Sequence, residues 1–295
     1  MAQNFPEVWK KVVKNLLSTS HKADFLDGIE ELDVVVMVDP LTDHNSIHVP
    51  LEMFTPEVLL NNSTYPIEIQ EFEDGTKVIN LDKYQTKATR ISEDAALGAA
   101  YDKIQSATQG HIKAINRTKY RKAIHALAPA ANTASTPVIT IPADATAEQV
   151  FNAIVALKGK FDYLEVPEEG RRLVLSPDHS NTLLTSEKYS AALYADKNSG
   201  KISGMLAGFK TYGYVSTPYF TAEGTKLGFG AVPGPTDKRA SVAFYEDNVG
   251  KKTGILKQYY DKPTTTGQAH LLNYRSYFIV LPIRLEAIGA IVTGA

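Results

Sequence analysis

Apolar positions along this 295-residue chain recur at two periods, and the changes of period mark its elements. Phe5, Val8, Trp9, Val12, Val13, Leu16 and Leu17 step by three and four, which predicts an amphipathic helix over residues 6–17. Asn4 is placed to cap it, Pro6 suits its first turn, and Glu7 complements the positive end of the helix dipole. Its stripe can pack on the chain's own core or, as an arm, on a neighbour, because the polar "STSHKADFLDGIEELD" separates it from the next apolar run. "LDVVVMV" at 32–38 predicts a strand, followed by a loop-rich stretch to about Asn62.

Residues 65–82 read "YPIEIQEFEDGTKVINLD". Asp74-Gly75 between two alternating runs predicts a two-residue hairpin turn, since Gly adopts the required positive φ without strain. Pairing Glu73 with Thr76 puts Glu68, Gln70, Phe72, Lys77, Ile79 and Leu81 on one face. Ile67, Ile69, Glu71, Val78, Asn80 and Asp82 take the other. Neither face is wholly apolar, and an isolated hairpin is marginal in water, so the ribbon is expected to lean on something else. Its second strand is expected to continue through "KYQTKATRI".

Residues 92–127 carry the longest helical pattern. Ser92 is a good cap, Glu93 and Asp94 fall in the first turn, and Lys119, Arg121, Lys122 and His125 crowd the last turns. Leu97, Tyr101, Ile104, Thr108, His111, Ile115, Lys119, Ala123 and Leu127 step by three and four until Pro129 ends the run. Those 36 residues would span roughly 54 Å. A compact chain of this length is roughly 49 Å across, so an unbroken helix predicts a flat or elongated subunit.

Beyond the linker "PAANTASTP", "VITIP" predicts a strand, and "TAEQVFNAIVALKGKF" a helix opened by Thr146 with Gln149 as its capping-box partner. "RRLVLSP" predicts a strand and "TLLTSEKYSAAL" a helix. "GKISGMLAGFKTYGYVSTPYF" predicts short strands with turns, and "KRASVAFYED" and "SYFIVLPIRLEAIGAIV" close the chain as strands. The irregular alternation predicts an α+β fold with mixed sheets, not a doubly wound one.

Composition narrows the function. Net charge is −2, which argues against a dominant nucleic-acid-binding role while leaving room for a local basic stripe. No run of about 18 apolar residues predicts a membrane span. The start "MAQNFPEVWKKVV" lacks the layout of a signal peptide, so the chain is expected to stay where it is made. Cysteine is absent, which removes disulfides, thiol nucleophiles and thiolate metal sites and fits a reducing cytoplasm.

Candidate chemistry is thin. "EGTKLGFGAVPGPTDKR" at 223–239 is rich in glycine, but Gly228, Gly230 and Gly234 sit among prolines ahead of an expected strand, so a surface loop is favoured over a phosphate cradle. Asp43, His44 and His48 fall in a proline-flanked segment that reads as solvated loop. His111 and His125 lie fourteen apart on the long helix with no carboxylate at suitable spacing, and read as ordinary polar positions. Ser199 has no partner that sequence supplies, and the adjacent pairs Glu30-Glu31 and Glu168-Glu169 point apart. No catalytic residue, cofactor site or metal site is assigned. Lys113, Arg117, Lys119, Arg121 and Lys122 either complement the helix dipole as solvated charge or make weak contact with phosphate.

The order of these elements resembles the major capsid proteins of tailed bacteriophages, with the Hong Kong 97-type fold. "EGRRLVLSP" with "NTLL", "GKISGMLAGFKTYGYVS", "RASVAFYEDNVG" and the ending "LLNYRSYFIVLPIRLEAI" are similar to stretches of that family. The resemblance implies an N-terminal arm and first strand over 1–38 and an extended hairpin loop over 39–91. It implies a peripheral domain with the spine helix over 92–136, a mixed α/β axial domain over 137–262, and return strands of the peripheral domain over 263–295. It further implies a virion coat subunit, assembled in the host cytoplasm into hexamers and pentamers of an icosahedral shell around double-stranded DNA. Implied partners are further copies of the chain, a portal, a separate scaffolding protein and DNA held by weak nonspecific contact, with no membrane. Inter-subunit contacts are then expected at Ile67, Ile69, Phe72, Val78, Ile79 and Leu81. The alternatives are a cellular encapsulin-like shell that holds protein cargo and a phosphate-ligand-binding enzyme built on the Gly-rich loop.

Overall fold

The computed structural model describes residues 23–33, 36–38, 45–52, 74–93, 103–196, 201–202 and 204–294. The helix expected over 6–17 lies outside them. Strands β1 (Val36–Val38), β2 (Asn45–Glu52) and β3 (Asp74–Asn80) form an antiparallel ribbon. In it Glu52 faces Asp74, Leu51 faces Gly75 and Ile47 faces Ile79. Asp74 and Gly75 are therefore paired strand residues and not the expected turn, and the ribbon's partner strand lies upstream, in a stretch expected to be loop. A dipeptide turn signal is local; the alternating "NSIHVPLE" supplies a full-length partner that outweighs it.

Next come β4 (Asp82–Gln85), β5 (Thr89–Ser92) and helix α1 (Lys103–Leu127), which is the last 25 residues of the expected long helix and spans about 38 Å. Gly110 does not interrupt it. The chain continues through β6 (Val138–Ile141), α2 (Ala147–Tyr163), β7 (Arg171–Leu175), α3 (Pro177–Leu184) and α4 (Glu187–Leu193). The expected capping box closes α2: Gln149 N donates to Thr146 Oγ1, and Thr146 N donates to Gln149 Oε1. Short strands β8 (Tyr194–Asp196), β9 (Lys201–Ile202), β10 (Met205–Leu206), β11 (Phe209–Gly213), β12 (Tyr219–Phe220) and β13 (Lys238–Arg239) follow. Longer ones end the chain: β14 (Ser241–Tyr245), β15 (Val249–Asp261), β16 (Ala269–Pro282) and β17 (Ile288–Thr293).

Two sheets organise the core. The six-stranded sheet runs β10-β11-β7-β14-β17-β6 and is mixed, with β11–β7 and β17–β6 parallel and the other pairs antiparallel. Successive residues alternate between two apolar layers, as a pleated strand requires. Leu173, Leu175, Ala243 and Ile291 meet Ile154, Leu157 and Phe161 of α2. Val174, Val242, Phe244, Ala290 and Val292 face the layer that holds Ile124 and Leu127 of α1 together with Phe25 and Leu26. β7 is buried at every position, which suits a strand covered on both sides.

The second sheet is the antiparallel hairpin β15–β16, with β4 and β5 pairing in turn along β16. Thr108 and Tyr274 hydroxyls meet at 3.1 Å, and Tyr120 packs edge-on against Phe278, so α1 lies on β16. The expected division at 262/263 does not follow these sheets. β15 belongs with the helix-covered sheet, and β17 crosses into the six-stranded sheet instead of returning with β16. The crossing is a bend in which Ala287 takes φ 54°, Ile283 N donates to Asn248 O, and Asn248 Nδ2 donates to Glu286 O.

Candidate assembly interface

The ribbon joins the rest of the chain at Leu81, between β3 and β4. Leu81, Ile47 and Tyr277 form a small buried cluster with Leu32, Ile79 and Ile279 at its rim. Directly after it, Asp82 accepts from Lys122 Nζ of α1 at 2.6 Å. Tyr84 is buried beside it, and burial, then the Asp82 carboxylate, push its phenol well above the ordinary range. One side of β3 is therefore seated within the subunit, while Val78 on the other side is 58% exposed. Of the residues expected to contact a neighbour, Leu81 is consumed inside its own chain, Ile79 is half-buried against the same cluster, and Val78 is open. Ile67, Ile69 and Phe72 lie outside the described residues.

Helix α1 contains six Lys and Arg residues and no Asp or Glu. Lys119 is buried, with Nζ 4.5 Å from the Phe278 ring centre and 4.8 Å from that of Tyr120. Burial lowers its pKa to about 8 against the opposing pull of Glu31. Lys122 is taken by Asp82. The carbonyls at the helix end are satisfied from elsewhere: Lys226 Nζ donates to His125 O at 2.9 Å and to Ala128 O at 2.5 Å. Burial holds Lys226 at about 8. His125, the basic residue of the last turn, meets Leu227 O through Nε2 at 2.8 Å, and burial lowers its pKa.

The Gly-rich segment thus buttresses a helix C-terminus. Gly224 and Gly230 take φ of 85° and 86°, which glycine adopts without strain, and the segment leads into β13, not a helix. The hollow between Arg121, His125, Thr217, Tyr219 and Gly228 holds only about 20 Å³, room for one water and not for a nucleotide.

One arrangement that sequence reading missed places His179 between hydroxyls. Its Nδ1 meets Ser241 Oγ at 2.7 Å and its Nε2 meets Thr293 Oγ1 at 2.9 Å, while Ser176 N donates to Ser241 Oγ at 2.9 Å. His179 edges an open hollow of about 410 Å³, but Ser176 and Ser241 are fully buried away from it and the imidazole's other partner is a hydroxyl, so no substrate reaches a serine and no carboxylate hydrogen-bonds the ring. The network fastens the start of α3 to β14 and β17. Burial drives the His179 pKa down to about 4, so the ring is neutral. Separations of 62 to 114 residues hide such a cluster from a linear reading.

Arg172 ties a further segment to the core. It pairs with Glu246 and donates to Phe25 O at 2.9 Å and Asp27 O at 2.6 Å, seating the turn around Phe25. Among the acidic pairs, Glu31 accepts from Thr253 Oγ1 at 2.6 Å and Glu168 lies 3.6 Å from Lys158 Nζ. His48 lies on β2, in a strand and not the expected loop, while Asp43, His44 and Ser199 are outside the described residues. Among the described residues no group of acidic and histidine side chains could hold a metal, and no helix is long and apolar enough to cross a membrane.

The described side chains build a packed framework that leaves Val78 of the ribbon exposed. No curated protein matches the chain. Among solved structures, the capsid of cyanophage P-SCSP1u superposes with a TM-score of 0.62 at 17% identity, covering 84% of this chain and 83% of that one. The mature capsid of bacteriophage PhiM1 gives 0.59 at 14% identity, over 85% and 83%. The capsid of an empty GTA particle gives 0.62 at 12% identity, over 93% and 91%. These likenesses show the fold. The phage capsid protein family matches residues 73–292, which takes in every element from β3 to the body of β17. That family is structural, which overturns the phosphate-ligand enzyme considered for the Gly-rich loop. This chain belongs to the phage capsid protein family and is a coat component of the virion.

Proposed function

We propose that the chain is the repeating tile of an icosahedral shell, assembling into hexamers and pentamers in which the β2–β3 ribbon of one subunit lies on the next. The observation that carries this reading is the half-seated ribbon: Leu81 and Ile47 anchor it, Val78 stands open, and nothing else among the described residues covers that side. Antiparallel ribbons of this size are marginal alone, so a second surface supplies what the subunit does not. In Hong Kong 97-type terms, residues 39–91 act as the extended loop, α1 with the β15–β16 sheet as the peripheral domain, and the six-stranded sheet with α2–α4 as the axial domain. β17 goes with the axial block. A portal and a separate scaffolding protein complete the assembly, and double-stranded DNA fills it. The family match favours this viral shell over a cargo-holding cellular one.

Negative-stain electron microscopy with light-scattering mass on the purified full chain, alone and with its scaffolding partner, tests the reading. Rings of five or six subunits or closed particles are expected. A chain that stays monomeric under both conditions contradicts it.

A further inference from the structure

The outward face of α1 is basic for a reason that the subunit itself does not supply. Lys113, Arg117 and Arg121 follow one another at four-residue steps, about 6 Å apart along the axis, and all three are exposed. They lie opposite the buried stripe of Ile112, Ile115, Lys119 and Ala123. The residues beside them on that face, Gly110, Ala114 and Thr118, are small and exposed, so no bulky side chain screens the row. Like charges at four-residue spacing destabilise a helix.

Neither an internal carboxylate nor the helix dipole accounts for them. Among the described residues, no carboxylate pairs with Lys113, Arg117 or Arg121; Arg121 lies over the Phe229 ring, 5.6 Å from its centre, which leaves its charge without a counter-ion, while Lys119 and Lys122 are committed within the subunit. Dipole stabilisation is confined to the last turn, where the basic residue is His125 and where Lys226 already meets the carbonyls. The charge field continues beyond the helix. Tyr214 feels Arg117, Arg121 and Arg239 together, and His125 feels Lys226, Arg121 and Lys122, with no carboxylate acting on that ring. A chain of net charge −2 thus sets three cations in a row on one helix face.

We infer that this face, Lys113, Arg117 and Arg121, is the surface that meets the phosphate backbone of packaged duplex DNA, and hence that it faces the shell interior. The inference deepens the shell reading and rests on it. A row of separated cations over small side chains suits a regular polyanion with no base to read, and such binding is salt-dependent and independent of sequence.

The test compares the full chain with Lys113→Gln/Arg117→Gln/Arg121→Gln and with a control, Lys87→Gln/Lys257→Gln/Lys262→Gln, which removes the same charge from other exposed positions. Affinity for a mixed-sequence 20-base-pair duplex is measured by fluorescence anisotropy across salt, beside a poly-glutamate competitor. Thermal unfolding and electron microscopy of assembled particles are recorded on the same samples. The helix variant is expected to bind the duplex at least about tenfold more weakly at 0.1 M salt, with a log–log salt slope shallower by about 2–3, while the control changes little. Its melting temperature is expected to be unchanged or higher, because like-charge repulsion is gone. Equal loss in both variants, or no loss in the helix variant, overturns the inference. Poly-glutamate bound at least as tightly as DNA and lost in the same variant would assign the face to an acidic protein and overturn it too. Particles are read separately: wild-type chain that forms none, alone and with its scaffolding partner, contradicts the shell reading whatever the duplex result.

Discussion

The six-stranded sheet and the β2–β3 ribbon are both paired strands, yet they are held in different ways. In the sheet, each strand's alternate residues enter two separate apolar layers, so a one-residue slip would exchange both sets at once. Buried polar side chains there are tied down: Ser241 by the His179 network, Arg172 by Glu246 and two carbonyls, Arg171 by Asp162 and two carbonyls, and Thr211 by Gly204 O. The ribbon has one small cluster at its base and an exposed Val78 on its other side. The sheet is specified from within the chain; the ribbon is specified only where it is seated, and its open side is available to another copy.

That contrast can be broken in order of effect. Phe161→Ala empties a fully buried position in the layer under α2 and is expected to cost about 3–5 kcal/mol in chemical unfolding. A loss below about 1 kcal/mol would mean that the layer is not the rigid part. His179 gives the next effect through pH. Its folded pKa of about 4 lies below the ordinary 6.5, so the unfolded chain takes up the proton first. Stability is then expected to fall by up to about 3 kcal/mol as pH drops from about 6.5 to about 4. His179→Gln should flatten that limb of the stability–pH curve; an unchanged limb would place the titration elsewhere.

Leu81→Ala removes the ribbon's main anchor and is expected to cost about 2–3 kcal/mol, read as faster amide exchange confined to β3 and β4. Exchange that rises equally in the six-stranded sheet would show the two regions to be one cooperative unit. Val78→Asp is the smallest change for the isolated subunit, within about 0.5 kcal/mol, because the side chain is exposed. It is nevertheless expected to block closed particles, and normal particles from it would remove Val78 from the interface.

The sheet was also the more legible region in the sequence. "RRLVL" and "SVAFY" are short apolar runs bounded by polar or turn residues, and Thr146 with Gln149 announced α2 by a local hydrogen-bonded device. Strand β15 gave no comparable signal. Its exposed positions carry Ile255 and Tyr259 while Gln258 lies on the inner side, so its alternation is blurred by a sheet covered on one face. The ribbon was recognised but paired wrongly, because Asp74-Gly75 is a local cue and the true partner, residues 45–52, is set by distant pairing. The basic residues of α1 were visible as a group; only the fold separated Lys119, buried against Phe278, and Lys122, paired with Asp82, from Lys113, Arg117 and Arg121, which are exposed and meet no carboxylate among the described residues.

The absence of cysteine makes the central claim directly measurable. Val78→Cys provides a single thiol, to which a short photoactivatable crosslinker is attached before assembly and activated in purified particles. The account predicts a covalent adduct between two subunits, abundant in particles and absent from unassembled chain, with the partner site mapped by peptide mass spectrometry outside the modified subunit. Adducts formed only within one subunit, equally in particles and free chain, would contradict it.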